Sequence, residues 1–281
     1  MKISTENNYV LIGLPHSGKS TFIAALWHIF ESEDLEDSLI IKGLPEDSEY
    51  LNKLRDTWLS YKDFERTKVE NKHHITLTVT RQSDDVISEL RFPDVSGEMY
   101  MIQFENRKLD FEYLKMIQTA SGIILFINPD DVIEPQLISN VNTCIGNPES
   151  SKNVDEVKNW EFNDAPTQVI LIDLLQMILE NIVKPIKVAV VVSAWDVIIN
   201  VQNSNPSNWV ESSLPLLFQF LKANDSQLKH TFFGISAQGG NYSEQTSEFQ
   251  TKSPSERIIV QTEMEKSNDI TLPIKWLLNN E

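Results

Sequence analysis

The residues best suited to chemistry are Gly13-Leu14-Pro15-His16-Ser17-Gly18-Lys19-Ser20, spaced as G-x-x-x-x-G-K-[ST]. They follow the apolar run Tyr9-Val10-Leu11-Ile12 and open an amphipathic run over 21–30, the strand–loop–helix setting that gives the pattern meaning. The chemistry is anion capture. Gly13 and Gly18 permit backbone angles and close approaches that a Cβ blocks. Amides from His16 through Ser17 to Ser20, with Thr21 beside them, then point inward at the positive end of the following helix. Lys19 reaches the β and γ phosphates, and the Ser20 hydroxyl is a hard oxygen ligand for Mg²⁺. The bland alternative is a Gly-rich turn carrying an incidental Lys.

A second constellation is Pro93-Asp94-Val95-Ser96-Gly97-Glu98. It ends a strand on the edge where the phosphate loop sits, so Asp94 is placed to hold Mg²⁺. Gly97 can turn its amide to a terminal phosphate without steric cost. A D-x-x-G turn that merely starts the next helix is the competing reading. Two further stretches close strands: Ser193-Ala194-Trp195-Asp196 and Ser236-Ala237-Gln238-Gly239-Gly240. For Asp196 two readings stand, a nucleobase acceptor or a helix N-cap.

The elements that must position these residues alternate. A buried strand is expected over 8–14, then a helix with Phe22, Leu26, Ile29 and Phe30 on one face. Leu51, Leu54, Trp58 and Tyr61 recur at helical spacing inside an acidic stretch, 31–70, read as an insertion. Alternation over 75–80 and the run 86–92 predict an antiparallel hairpin. A helix carries Leu109, Tyr113, Ile117 and Ala120, and buried strands follow over 122–128, 185–192 and 231–235. The helix over 167–182 is apolar apart from Asp173, Gln176 and Glu180, so it is buried on two sides or meets another chain. A helix is expected around 209–221 and another from about Pro273. Residues 130–166 are polar and Pro-interrupted, read as a second insertion: a partner-binding segment or a loop. The expectation is a single α/β domain over 1–281, with a mostly parallel sheet, one antiparallel edge strand and helices on both faces.

Composition narrows the partners. A net charge of −17 lacks the basic footprint that nucleic acid needs. The lone Cys144 excludes an intrachain disulfide and suits a reducing cytoplasm. No apolar run approaches a membrane span, and the first residues lack a signal-peptide core. A soluble cytoplasmic protein without membrane or nucleic-acid partners is expected.

Together the phosphate loop, the D-x-x-G after a hairpin, and strands ending in x-x-x-D and S-A resemble a Ras-like P-loop GTPase domain of the translation-factor-related class. There the x-x-x-D motif is N-K-x-D, whose Asp accepts from the guanine N1–H and N2–H₂ groups that adenine lacks. Here Ser193 and Ala194 replace Asn and Lys, so the Lys stem over the base and its tie to the phosphate loop are gone. The resemblance implies that Asp196 reads guanine, with the Ala237 amide after Ser236 meeting O6. More narrowly, the chain resembles the bacterial double-GTPase family through Gly13–Thr21, Ala24-Ala25-Leu26-Trp27, Ser193-Ala194-Trp195-Asp196, Ser236-Ala237-Gln238-Gly239-Gly240 and Pro273-x-x-Trp276-Leu277. That family implies GTP or GDP as ligand, Mg²⁺, and a protein partner (a second GTPase or an effector) in conflict or defence systems. Glu98 stands where a water-orienting Gln sits in Ras, which implies slow hydrolysis with Lys19, Gly97 and Glu98 as the catalytic set. Its alternative is a solvated first-turn acid. Thr67 is the expected switch threonine and Mg²⁺ ligand, because Thr57 falls inside the predicted helix, and Arg66 is a candidate arginine finger. The function expected is a GTP-controlled switch. The rivals are a non-hydrolysing pseudo-GTPase that holds a partner, and an NTPase without guanine preference.

Overall fold

The computed structural model describes residues 4–62, 64, 73–80, 87–94, 97–135, 161–199, 205–240 and 251–279. Its strands are β1 Ser4–Ile12, β2 Ile40–Ile41, β3 His73–Thr80, β4 Ile87–Asp94, β5 Ala120–Ile127, β6 Ile186–Val192, β7 Leu228–Ser236, β8 Ile259–Gln261 and β9 Lys266–Ser267. The helices are α1 Lys19–Ser32, α2 Ser48–Leu59, α3 Gly97–Asn106, α4 Phe111–Thr119, α5 Thr167–Asn181, α6 Trp195–Ile199, α7 Pro206–Ser213, α8 Pro215–Ala223, α9 Pro254–Arg257 and α10 Leu272–Leu278. The strands form one sheet in the order β2-β3-β4-β1-β5-β6-β7-β8-β9.

The centre of the sheet, β4-β1-β5-β6-β7, is parallel throughout. Parallel strands need covered faces, and their near-continuous apolar runs supply both. Alternation sorts each run. Tyr9, Leu11, Ile124, Phe126, Ala189 and Val191 join α1, α2 and α10 in one core. Val10, Ile12, Ile123, Leu125, Val188 and Val190 join α3, α4, α5, α7 and α8 in the other. The result is a three-layer α/β fold of the P-loop type. The antiparallel content exceeds the one expected edge strand: β3 and β2 extend one end, β8 and β9 the other.

Several local expectations need correction. The stretch after the D-x-x-G forms a helix of its own, α3, which buries Tyr100, Gln103 and Phe104 at positions spaced by three and four. Asp110 then starts a separate α4, its carboxylate accepting from Glu112 N at 2.9 Å and Tyr113 N at 3.3 Å. Leu109 therefore precedes that helix, and Ala120 opens β5. The expected helix over 209–221 is broken at Pro215, which has no amide to donate and drives Leu214 out of helical angles, to φ −131, ψ 56. Of the polar positions on α5, Asp173 is buried, with its carboxylate 2.6 Å from the Arg107 guanidinium. The inserted helix is α2, burying Leu51, Leu54 and Trp58, while Tyr61 lies past its end. Of 130–166, the described ends hold two single 3₁₀ turns, Pro129–Asp131 and Phe162–Asp164.

The C-terminal ends of the parallel strands share one edge of the sheet. The segments after β1, β4, β5, β6 and β7 all emerge there, the usual place for a ligand in such sheets.

Candidate functional site

Helix α1 begins at Lys19 behind Gly18, which sits at φ 88. Those angles are open to glycine and strained for other residues. No side chain caps this helix and no acidic residue stands in its first turn, so its positive end is left to an anion. Lys19 does not turn outward. It is 8% exposed, and its ammonium donates to Gly13 O at 2.7 Å, Leu14 O at 3.1 Å and Ser17 Oγ at 3.0 Å. The Tyr100 ring of α3 lies 6.0 Å from the same nitrogen. The charge is thus held inside the loop. Ser20 and Thr21 occupy the first turn of α1, both half-buried.

The D-x-x-G segment closes on this loop. β4 runs parallel to β1, so Asp94 ends its strand on the same edge as the loop. Gly97 opens α3 against the Leu14–Pro15 backbone: a Cβ there would lie 2.3 Å from Pro15 N and 2.6 Å from Leu14 C. Only glycine permits that contact. Three residues span at most about 10 Å, so Asp94 is confined to the neighbourhood of the loop. Glu98 is half-buried in the first turn of α3. Thr67 and Arg66 lie outside the described residues.

Beyond the loop a cleft of about 690 Å³ opens, lined by His16, Gly18 and Thr21 on one side and by Asp196, Ser236, Ala237 and Gln238 on the other. The segment after β6 abuts the loop directly: a Cβ on Gly18 would meet Ser193 Cβ at 3.0 Å. Ser193 is itself anchored to β5, its amide and hydroxyl donating to Ile127 O at 2.8 Å and 3.2 Å. Ala194 turns at φ 45, and Asp196 follows inside the first turn of α6. That position is past the N-cap, which corrects the capping alternative. Trp195 points away from the cleft. It is fully buried against Gly234 and donates its indole N–H to Gln261 Oε1 at 2.9 Å. On the next strand end, Ser236 Oγ accepts from Gly239 N at 2.9 Å, and Ala237 O accepts from the Trp58 indole at 3.1 Å.

Among the polar lining residues, three were not read as part of the site from the sequence: Tyr61, Asn128 and Asp130. Asn128 opens the segment after β5, with its Nδ2 donating to His16 O at 3.0 Å and to Asp131 Oδ2 at 3.2 Å. Its Oδ1 accepts from Asp130 N at 3.2 Å. The signal was the Asn-Pro-Asp-Asp turn after a buried strand, but only the sheet order puts β5 between the strands carrying the loop and Asp196.

Fold and site together define a P-loop domain of the GTPase type. A family model described as Double-GTPase 1 matches residues 10–277, and the chain belongs to that family. By family, then, it is a GTP-binding protein. No curated protein matches the sequence. Among solved structures, the chain is similar to the Arl6 (BBS3) small GTPase from Trypanosoma brucei with bound nucleotide analogue GppNp, at 8% identity and a TM-score of 0.40, covering 90% of this chain and 99% of that one. It is also similar to the bacterial selenocysteine-specific elongation factor EF-Sec, at 15% identity and a TM-score of 0.37. That alignment covers 90% of this chain but only 30% of the factor. Among the described residues, no helix is long and apolar enough to cross a membrane.

Proposed function

We propose that the chain is a GTP-controlled switch that binds GTP and GDP in this cleft and hydrolyses GTP slowly. The observation that carries the reading is the Lys19 ammonium held inside the loop while Asp196 and Ala237 line the far side of one cleft. The polyphosphate lies over the loop amides, with His16, Ser17, Gly18, Ser20 and Thr21 around it. The base reaches Asp196, whose carboxylate accepts from the two guanine N–H groups, and the Ser236–Ala237 end, whose amide meets O6. Adenine offers no such donor pair, so the preference is for guanine.

Ser20, in the first turn of α1, and Asp94, at the end of β4, suit Mg²⁺ because both are hard oxygen donors, with Thr67 as a third. Among the described residues no three His, Cys, Asp or Glu side chains gather to hold a metal alone. Mg²⁺ supplies charge neutralisation on the phosphates. The chain's own share is positioning. Lys19 draws charge toward the leaving β-phosphate, the Gly97 amide faces the γ-phosphate, and Glu98 takes a proton from the attacking water. A carboxylate beside a γ-phosphate adds repulsion, so turnover is slow.

That same Glu98 favours one rival, a non-hydrolysing module that keeps its nucleotide and uses the 31–70 and 130–166 insertions to hold a second GTPase or effector. Single-turnover release of labelled phosphate from GTP separates the two. Release that is slow but dependent on Mg²⁺ and Glu98 supports the switch, and no release with the partner present supports the module.

A further inference from the structure

Helix α2 ends in a manner that its own sequence does not favour. Lys62 N donates to Thr57 O at 3.2 Å, and Tyr61 N to Trp58 O at 3.2 Å, the paired bonds of a Schellman ending. Such an ending needs one left-handed residue, normally glycine or asparagine. Tyr61 fills the position at φ 57. A backbone held in a disfavoured region points to a use for the side chain carried there.

The ring is contacted from outside the insertion by Arg257. The Arg257 guanidinium lies 4.8 Å from the Tyr61 ring and 4.8 Å from the Trp58 ring. Arg257 and Trp58 are both buried, and the Trp58 indole donates to Ala237 O at 3.1 Å. One chain of contacts therefore joins Tyr61, through Arg257 and Trp58, to Ala237. Tyr61 lines the same cleft as Asp196 and Ala237. The cleft also lacks something: Ala194 carries no stem to cover a base, where the resembled pattern has a lysine.

We propose that Tyr61, delivered by the inserted helix, is the aromatic wall on which the nucleotide's base packs. Arg257 and Trp58 are positioning residues that hold this wall and the Ala237 edge at a fixed separation. The division of labour is between edge and face. Asp196 and Ala237 read the edge of the base, and Tyr61 covers a π-face that every base has. The inference rests on the proposed binding of a guanine nucleotide in this cleft.

The test compares GDP with inorganic pyrophosphate, both with Mg²⁺, by calorimetric titration of the full chain. Tyr61→Gly and Tyr61→Asn each accept the left-handed backbone and remove the ring. Both are expected to bind GDP about tenfold more weakly, as loss of one base–aromatic contact requires, and pyrophosphate as tightly as the wild type. Tyr61→Phe keeps the ring and is expected to stay within about twofold of wild type for both ligands. Wild-type GDP affinity in the Gly and Asn variants overturns the proposal, and so does an equal loss for GDP and pyrophosphate. A wild-type protein that binds pyrophosphate and GDP equally overturns it too. Binding of neither by the wild type overturns the nucleotide reading itself and this inference with it.

Discussion

The side-chain amide of Asn128 donates to the backbone carbonyl of His16 at 3.0 Å, tying the end of β5 to the middle of the phosphate loop. In the pattern that this chain resembles, a lysine after β6 makes the tie, and here Ala194 cannot. The anchor has moved one strand over. Removing one exposed hydrogen bond of this kind costs about 0.5–1 kcal/mol, or about two- to fivefold in affinity. Asn128→Ala is expected to weaken GDP binding by that factor with little change in melting temperature. Calorimetry beside a thermal melt checks it, and unchanged GDP affinity would remove Asn128 from the site.

Trp195 and Gly234 fix the strand end that carries Asp196. A Cβ on Gly234 would lie 2.3 Å from the indole, which is fully buried. Overpacking of this kind costs about 1–3 kcal/mol. Gly234→Ala is expected to lower the urea midpoint by a corresponding amount with an unchanged m-value. Trp195→Leu, by vacating the space, should make the same glycine substitution nearly harmless.

His28 gives the fold a pH dependence. Burial lowers its pKa below the ordinary 6.5; Asp34 pulls the other way, and Arg257 lowers it further. A histidine neutral in the folded state and protonated in the unfolded one stabilises the fold fully above the unfolded pKa. That contribution is lost as pH falls below about 6.5 toward the folded pKa. His230 acts in the same direction, again because burial lowers its pKa. Melting temperature is expected to drop between about pH 7.5 and 5.5, and His28→Gln should flatten part of that slope. An identical slope in the variant would rule out His28 as its source.

Much of this architecture can be read from the chain because its signals are local. The phosphate loop needs only its own spacing, and the buried parallel strands announce themselves as apolar runs. Helix α3 was hidden because its apolar positions continue straight from the D-x-x-G turn, and Pro215 broke a helix whose hydrophobic spacing is unbroken. The cleft was legible only in part. Asp196, Ser236 and Ala237 stand at strand ends that the alternation of elements identifies. Asn128 and Tyr61 do not. Asn128 matters because β5 lies next to β1, and Tyr61 because an inserted helix folds back onto the end of β7. Both facts belong to long-range packing, which no window of sequence contains.

The proposed switch stands on one requirement: the amide loop and Lys19 hold the phosphates of a guanine nucleotide whose base Asp196 reads. Calorimetric titration of GDP and ADP, with Mg²⁺, into the wild type and into Lys19→Ala puts that requirement to the test. Tight GDP binding is expected, with a preference over ADP of at least about tenfold (roughly 1.4 kcal/mol) and loss of both in Lys19→Ala. Equal affinity for the two nucleotides, or GDP binding that survives the loss of Lys19, would refute it.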